Sequence, residues 1–312
     1  MKKRVVLAFG GNALQKNGEV TAEAQKKIAN EVGEAIYELS NRYEIVIAHG
    51  NGPQVGNILI HEEGGSTEKA PAMPLETAVA MSQGQIGYWL SQAINNAFLK
   101  NGKQARVATV VSQVVVSRDD VAFKNPTKPI GQFYTEKEAR ALVREKGWEV
   151  REDAGRGWRR VVPSPKPIDI VEKKTIIELI EKGIIVIAAG GGGIPVYRTK
   201  ILKRLKGVDA VIDKDYAAEK LAELVKADIF VSITAVPNAC VGFGTPEQRT
   251  LGAVTASEIV GYMSEFKAGS MLPKVQAALE FAKKGKMGII TDIEHLKEAL
   301  AGKAGTIITN KI

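Results

Sequence analysis

An α/β fold built on an open, mainly parallel sheet is what three features of this sequence predict. Short β-branched runs alternate with longer stretches of helical period, the runs are apolar throughout, and three of them end in glycine-rich turns. Strands that are apolar at every position, not at every second one, belong to a parallel sheet covered by helices on both faces.

The elements follow in order. Val5–Phe9 reads as a buried strand closed by Gly10 and Gly11. Residues 21–40 keep a period of three to four through Ala24, Ile28, Val32, Ala35, Ile36 and Leu39, which predicts a helix. Residues 44–48 form the next strand, stopping at His49-Gly50-Asn51-Gly52-Pro53, and an amphipathic stretch from about Pro74 to Lys100 leads to a strand near 106–111. Helices are expected over 173–181, 214–225, 270–284 and 293–300, and strands over 184–189, 229–233, 287–290 and 306–308. Residues 235–252, punctuated by glycine and proline, read as a loop with a hairpin.

Between residues 117 and 167 the character changes. Pro126, Pro129, Pro163, Pro165 and Pro167 crowd around a charged helix near 136–146 and a candidate hairpin pairing 148–151 with 158–162. An insertion with secondary structure of its own inside a compact domain is usually functional. It is expected to form a small α+β subdomain protruding from the main sheet.

Composition narrows the function. Apolar residues make up 45% and charged residues 25%, as in ordinary globular proteins. Forty-three Lys+Arg against 35 Asp+Glu give a formal charge of +8. The basic clusters, Lys2-Lys3-Arg4 and Lys283-Lys284 with Lys286, lack the interleaved aromatics of a base-stacking surface, so no nucleic-acid partner is expected. Cys240 is the single cysteine, which rules out an internal disulfide or a CxxC metal cage. The apolar run after the basic N-terminus is too short for a signal segment, and no run approaches a membrane span, so a cytoplasmic protein is expected.

The glycine turns at Gly10-Gly11-Asn12, Gly50-Asn51-Gly52 and Gly190 to Gly193 all follow strands. In an open parallel sheet these strand ends gather along one edge with helix N-termini, where backbone N–H groups approach an anion closely. The sequence has no Gly-x-x-x-x-Gly-Lys-Ser/Thr loop, no dinucleotide fingerprint after the first strand and no nucleophile elbow. His49, His61 and His295 are too scattered for a metal cage, and His61 and His295 read as helix-surface residues. Phosphoryl transfer asks a protein mainly for positioning and cationic neutralisation, so lysines at loop tips and helix starts are the candidates. Lys214 lies between Asp213 and Asp215 just before a helix, either oriented by both carboxylates or solvated behind an Asp213 cap. Lys274 follows Pro273 at another helix opening, and Lys128 stands between Pro126 and Pro129 on the insertion.

These segments together resemble the carbamate kinases of the amino acid kinase superfamily. The matching motifs are Gly-Gly-Asn-Ala-Leu at 10–14, His-Gly-Asn-Gly-Pro-Gln-Val-Gly at 49–56, Met-Ser-Gln-Gly at 81–84 and Asn-Pro-Thr-Lys-Pro-Ile-Gly at 125–131. They continue with Ala-Gly-Gly-Gly-Gly-Ile-Pro-Val at 189–196, Asp-Ala-Val-Ile-Asp-Lys-Asp at 209–215 and Gly-Ser-Met-Leu-Pro-Lys-Val at 269–275, so the resemblance runs nearly end to end. It implies a three-layer αβα sandwich forming one domain over 1–312, with 117–167 inserted, and a homodimer. It implies reversible transfer between ATP and carbamate, giving ADP and carbamoyl phosphate, with Mg²⁺ held mainly by the nucleotide phosphates and water.

Carried over residue by residue, the resemblance places Lys128, Lys214, Asp215 and Lys274 in catalysis. It places Gly10, Gly11, Asn12, Gly50, Asn51 and Gly52 around the transferred phosphoryl and the carbamate. Lys214, Ala235, Val236, Phe243, Met271, Pro273 and Lys274 are assigned to the nucleotide. Many relatives in the superfamily carry a lysine two residues before the first glycine pair; here that position is Ala8, and Lys128 looks like its replacement. A kinase of the same fold acting on acetylglutamate, aspartate or a nucleoside monophosphate, or a non-catalytic nucleotide sensor, are the rival readings.

Overall fold

The computed structural model describes residues 2–10, 19, 21–153, 155–267 and 269–311. The first half contains β1 (Lys3–Phe9), α1 (Ala22–Ser40), β2 (Tyr43–His49), α2 (Gly52–Gly64), α3 (Leu75–Lys100), β3 (Val107–Thr109) and β4 (Gln113–Val115). An excursion follows, with β5 (Lys128–Tyr134), α4 (Glu136–Lys146), β6 (Val150–Glu152), β7 (Trp158–Val162) and β8 (Asp169–Ile170). The chain continues with α5 (Lys173–Glu181), β9 (Ile185–Ile187), β10 (Ile194–Arg198), β11 (Leu205–Gly207), α6 (Lys214–Leu224) and β12 (Ile229–Ile233). Last come β13 (Cys240–Val241), β14 (Arg249–Thr250), β15 (Ala253–Thr255), α7 (Ala256–Gly261), α8 (Met271–Lys283), β16 (Met287–Thr291), α9 (Leu296–Leu300) and β17 (Thr306–Thr309).

The main sheet has eight strands in the order β15-β17-β16-β12-β1-β2-β9-β3. Every neighbouring pair is parallel except β16 with β17. β1 lies at its centre, with Ala8 opposite Ala48 on β2 and Ser232 on β12. Its side chains alternate between two cores. Val6 and Ala8 join Ala217 and Leu221 of α6 and Phe281 of α8, whereas Val5, Leu7 and Phe9 join Ile28 and Ile36 of α1 and Leu90 and Ile94 of α3. Helices thus cover both faces, and each fully buried Leu, Ile or Phe contributes roughly 1.5–3 kcal/mol. This is the doubly covered sheet anticipated from the apolar strands and the three-layer arrangement implied by the resemblance.

The chain leaves β1 toward β2 on one side and returns through β12 on the other. This makes the carboxyl ends of β1 and β12 a topological switch point, where open α/β sheets bind ligands. α1 starts at an Asx/Thr-type cap, with the Thr21 hydroxyl accepting from the Ala24 amide at 3.3 Å.

The excursion builds its own three-stranded antiparallel sheet, β5-β7-β6, with α4 closed by a Thr135/Glu138 capping box and by Gly147 in the left-handed region. Ile130 and Val162 of this sheet pack with Val55 and Leu59 of α2, Val79 of α3 and Val211. α2 is an element the sequence reading missed, because Gly50-Asn51-Gly52-Pro53 reads as a turn. Pro53 in fact sits in its first turn, where proline costs no hydrogen bond. The expected 293–300 helix is confined to Leu296–Leu300. Among the described residues no helix is long and apolar enough to cross a membrane.

Candidate active site

At the start of α6, Asp213 adopts extended backbone angles and caps the helix, its Oδ1 accepting from the Asp215 amide at 2.9 Å. Capping does not leave Lys214 in solvent. Its Nζ donates to Asp215 Oδ1 at 2.8 Å, and its side chain is only 13% exposed. Lys274, in the first turn of α8, donates to Asp215 Oδ2 at 3.0 Å with 14% of its side chain exposed. Ser232 on β12 completes the set, its hydroxyl donating to Asp215 Oδ1 at 2.7 Å. Each Asp215 oxygen therefore receives an ammonium, and the carboxylate itself is buried.

Lys128 arrives from the separate small sheet. It is the first residue of β5, and its Nζ donates to Asp213 Oδ2 at 2.8 Å. Three ammonium groups from β5, α6 and α8 thus face two carboxylates, leaving one unit of positive charge uncompensated. The N-termini of α6 and α8 add partial positive charge at the same edge. Such a cluster is short of an anion.

Electrostatics bear this out. Burial alone would raise the Asp215 carboxyl, but the Lys214 and Lys274 ammoniums and the hydrogen bonds from Lys214 and Ser232 hold it well below the usual carboxylate range. Burial pushes Lys214 below the ordinary lysine value and the Lys274 charge adds to this, against the pull of Asp215. Tyr216, hydrogen-bonded to Gln276, is pushed up to about 12 by burial and by Asp213 and Asp215.

The glycine turns divide in role. The amides of Gly10 and Gly50 donate to the carbonyls of Ile233 and Phe9 at 3.2 and 2.8 Å, which stitches the ends of β12, β1 and β2 together. Gly11 and Asn12 lie outside the described residues. Asn51 is 4% exposed, and its side chain donates to Ser82 Oγ at 2.8 Å without capping α2. Gly52 opens α2 at the surface, and the Asn51 side chain does not cap that helix. The Gly190–Gly192 turn is a packing device, not an open nest. A Cβ on Gly190 would sit 2.3 Å from His49 Nε2, one on Gly191 2.2 Å from Asn51 Nδ2, and one on Gly192 2.2 Å from the Ile212 carbonyl oxygen. The amides of Gly192 and Gly193 are spent on Ala189 and Gly190.

His49, 1% exposed, pairs through Nδ1 with the Gly50 carbonyl at 2.9 Å. Burial lowers its pKa to about 4, partly countered by that hydrogen bond, so the imidazole is neutral near pH 7 and its Nδ1–H is the donor. His61 is exposed on α2, and His295 contacts Asp292 at 2.7 Å at the surface.

Of the nucleotide candidates, Met271, Pro273 and Lys274 share the first turn of α8. Ala235 and Val236 are exposed in the loop after β12, and Phe243 is 78% exposed between β13 and β14. The sequence reading did not single out Ser232, although a hydroxyl inside the apolar run Ile229–Ile233 is a visible signal. Nor did it foresee the pairing of Asp213 with Lys128, which no local pattern encodes across 85 positions.

Residues 3–292 match the amino acid kinase family. The chain is 51% identical to a carbamate kinase of Pyrococcus horikoshii, covering 99% of this chain and 100% of that protein. It is 48% identical to carbamate kinase 1 of Enterococcus faecium over 99% of this chain and all of that one. Among solved structures, the carbamate kinase of Giardia lamblia bound to AMP-PNP superposes with a TM-score of 0.92 at 45% identity, covering 99% of this chain and 98% of that one. With its switch-point lysines and this likeness along its whole length, the chain belongs to the carbamate kinase family of amino acid kinases.

Proposed function

We propose that the protein transfers a phosphoryl group reversibly between ATP and carbamate, giving ADP and carbamoyl phosphate. The observation that carries this reading is the convergence of Lys128, Lys214 and Lys274 on Asp213 and Asp215 at the switch point. Full-length relatives bearing the name carbamate kinase supply the acceptor.

A carbamate oxygen attacks the γ-phosphorus in line, the bond from that phosphorus to the β–γ bridging oxygen breaks, and ADP leaves. Carbamate is already an anion, so no general base is needed. The three ammoniums neutralise the phosphoryl oxygens, where preorganised charge is worth most. Asp215, fully ionised and fixed by Ser232, keeps Lys214 and Lys274 charged and aimed. The turns at Gly10–Asn12 and Gly50–Gly52 receive carbamate and the transferred group, and with the Gly10 and Gly50 amides spent on strand carbonyls the start of α2 supplies the positive helix end. Ala235, Val236, Phe243, Met271 and Pro273 supply apolar surface for the nucleotide base. Mg²⁺ would be held mainly by the nucleotide phosphates and water, and would there neutralise phosphate charge alongside the lysines.

Residues 117–167, whose small sheet and helix run from Lys128 to Val162, act as the subdomain that brings Lys128 to the reaction. A homodimer accounts for Met81, Tyr88 and Leu99, which lie exposed along one face of α3.

The test is ADP with carbamoyl phosphate and Mg²⁺, read as ATP formed, with Lys274→Ala as control. ATP from the wild type and its loss in the variant support the reading. No ATP from a folded, ADP-binding protein moves the assignment to another acceptor.

A further inference from the structure

Lys128 and Asp213 stand at the starts of two elements that belong to different sheets, and their contact differs from the other ties between those parts. Besides the apolar packing of Ile130 and Val162 on α2 and α3, the small sheet is joined to the body by Lys146–Glu63 at 3.1 Å, by Arg160–Asp209 at 2.5 Å and by a backbone bond from the Val211 amide to the Pro163 carbonyl at 3.0 Å. In both ion pairs at least one partner is substantially exposed, and such pairs contribute little. Beside them, between α2 and β5, lies an open cleft of about 310 Å³ walled by Leu59, Ile60, Ile130, Tyr134 and Trp148. Leu59 and Ile130 border this cleft and also belong to the buried cluster under it, so the cleft opens only at the outer edge of the contact between α2 and β5. In Lys128–Asp213 the side chains are 31% and 13% exposed, and this tie ends inside the lysine cluster.

We propose that Asp213 is a positioning residue for catalysis, one that holds the Lys128 ammonium at the α6 N-terminus through the oxygen its cap leaves over. This rests on the role given to Lys128 above. The two carboxylate oxygens have separate duties: Oδ1 takes the Asp215 amide and so orients the residue that aims Lys214 and Lys274, while Oδ2 takes Lys128. An ammonium has three donors, so two remain for phosphoryl oxygens after Asp213 is satisfied. A long side chain free in solvent would lose its rotamer freedom at the moment of reaction; one already held in place has lost it beforehand. Asp213 in this way links the subdomain's cation to the pair on the main sheet.

The test is a double-mutant cycle in the ATP-forming direction with wild type, Asp213→Asn, Lys128→Ala and the double variant, and Asp213→Ser alongside. Asn and Ser both remain good helix caps, so α6 keeps its start, and melting temperatures check this. Asp213→Asn and Asp213→Ser are expected to lower kcat about 10-fold with KM for ADP nearly unchanged. In the Lys128→Ala background, Asp213→Asn is expected to change kcat by less than ~2-fold, because the interaction it removes is already gone. An equal penalty in both backgrounds would mean that Asp213 acts through the cap alone, and would overturn the proposal, as would wild-type kcat in Asp213→Asn. The same four proteins are compared by urea unfolding, where coupling between the two positions registers without turnover. A wild type that makes no ATP but shows this coupling sinks the reaction and keeps the pair. A wild type that makes ATP with additive variants does the reverse.

Discussion

Lys274 Nζ lies 3.0 Å from Asp215 Oδ2, joining the first turn of α8 to the first turn of α6 across 59 residues of sequence. With Lys214 on the other oxygen, one buried carboxylate carries two ammoniums. Asp215→Asn leaves Lys274 buried without its carboxylate partner and Lys214 with only the charge of Asp213. Removing one partner of a buried ion pair costs on the order of 3 kcal/mol, and losing a preorganised charge arrangement costs roughly 10²–10³ in rate. The expected outcome is a lower urea midpoint together with that fall in kcat. A variant with wild-type turnover would remove Asp215 from the mechanism.

Acid should destabilise the protein earlier than its carboxylates alone would require. The His49 imidazole, lowered by burial to about 4, refuses a proton that the unfolded chain accepts below about 6.5. The unfolded state then binds more protons across this window, so stability is full above pH 6.5 and falls as pH drops toward 4, by about 3 kcal/mol in total. Asp215, depressed by its lysines against the effect of burial, acts with the same sign at lower pH, its contribution fading once the medium is acid enough to protonate it. The exposed His295 is raised by Asp292 and opposes this weakly. Urea unfolding of the wild type and His49→Gln at pH 7, 5.5 and 4 tests the point. The slope between pH 6.5 and 4 should flatten in the variant, and an unchanged slope would assign the effect elsewhere.

Gly192 has φ +88° and backs directly onto the Ile212 carbonyl, one residue before Asp213. In Gly192→Ala the new Cβ meets backbone that cannot rotate away, in a conformation that L-residues rarely adopt. Strain and overpacking together should cost on the order of 3 kcal/mol and displace the α6 start, lowering kcat as well. Gly252→Ala is the control, because a Cβ there meets nothing within 4 Å. Its stability should stay within about 0.5 kcal/mol of wild type. Equal effects of the two substitutions would contradict the packing role of the glycine turn.

The sheet was legible in the sequence because β1, β2, β12 and β16 are buried on both faces and so are written as unbroken apolar runs. The lysines of the cluster were legible through motif and helix position, since Pro273 before Lys274 and Asp213 before Lys214 mark helix starts. What escaped reading is what depends on distant partners. α2 was hidden because its opening residues are also turn residues, and the choice between an oriented and a solvated Lys214 is decided by Asp215 together with Lys274 and Ser232, which meet that carboxylate from other parts of the chain. The run Gly190–Gly193 looked like an anion nest, yet the need for glycine comes from His49, Asn51 and Ile212 pressing against it. A single sequence shows the absence of a side chain but not the neighbour that demands it.

Met81, Tyr88 and Leu99 are 40%, 53% and 60% exposed, and their spacings of seven and eleven residues put them on one face of α3. Its opposite face is buried against α1 and the sheet, so this stripe is apolar surface that the chain itself does not cover. In the proposed homodimer it meets its own copy. A charge placed there would be desolvated twice across a two-fold axis and would face its own symmetry mate, so one substitution is amplified. Tyr88→Glu with Leu99→Glu should therefore convert a dimer into a species near the 33.6 kDa chain mass by light scattering. The lysine cluster of each chain should keep its fold, since α3 contributes none of those ammoniums. A double variant that still sediments as a dimer would place the interface on another face, and a monomeric wild type would remove the dimer altogether.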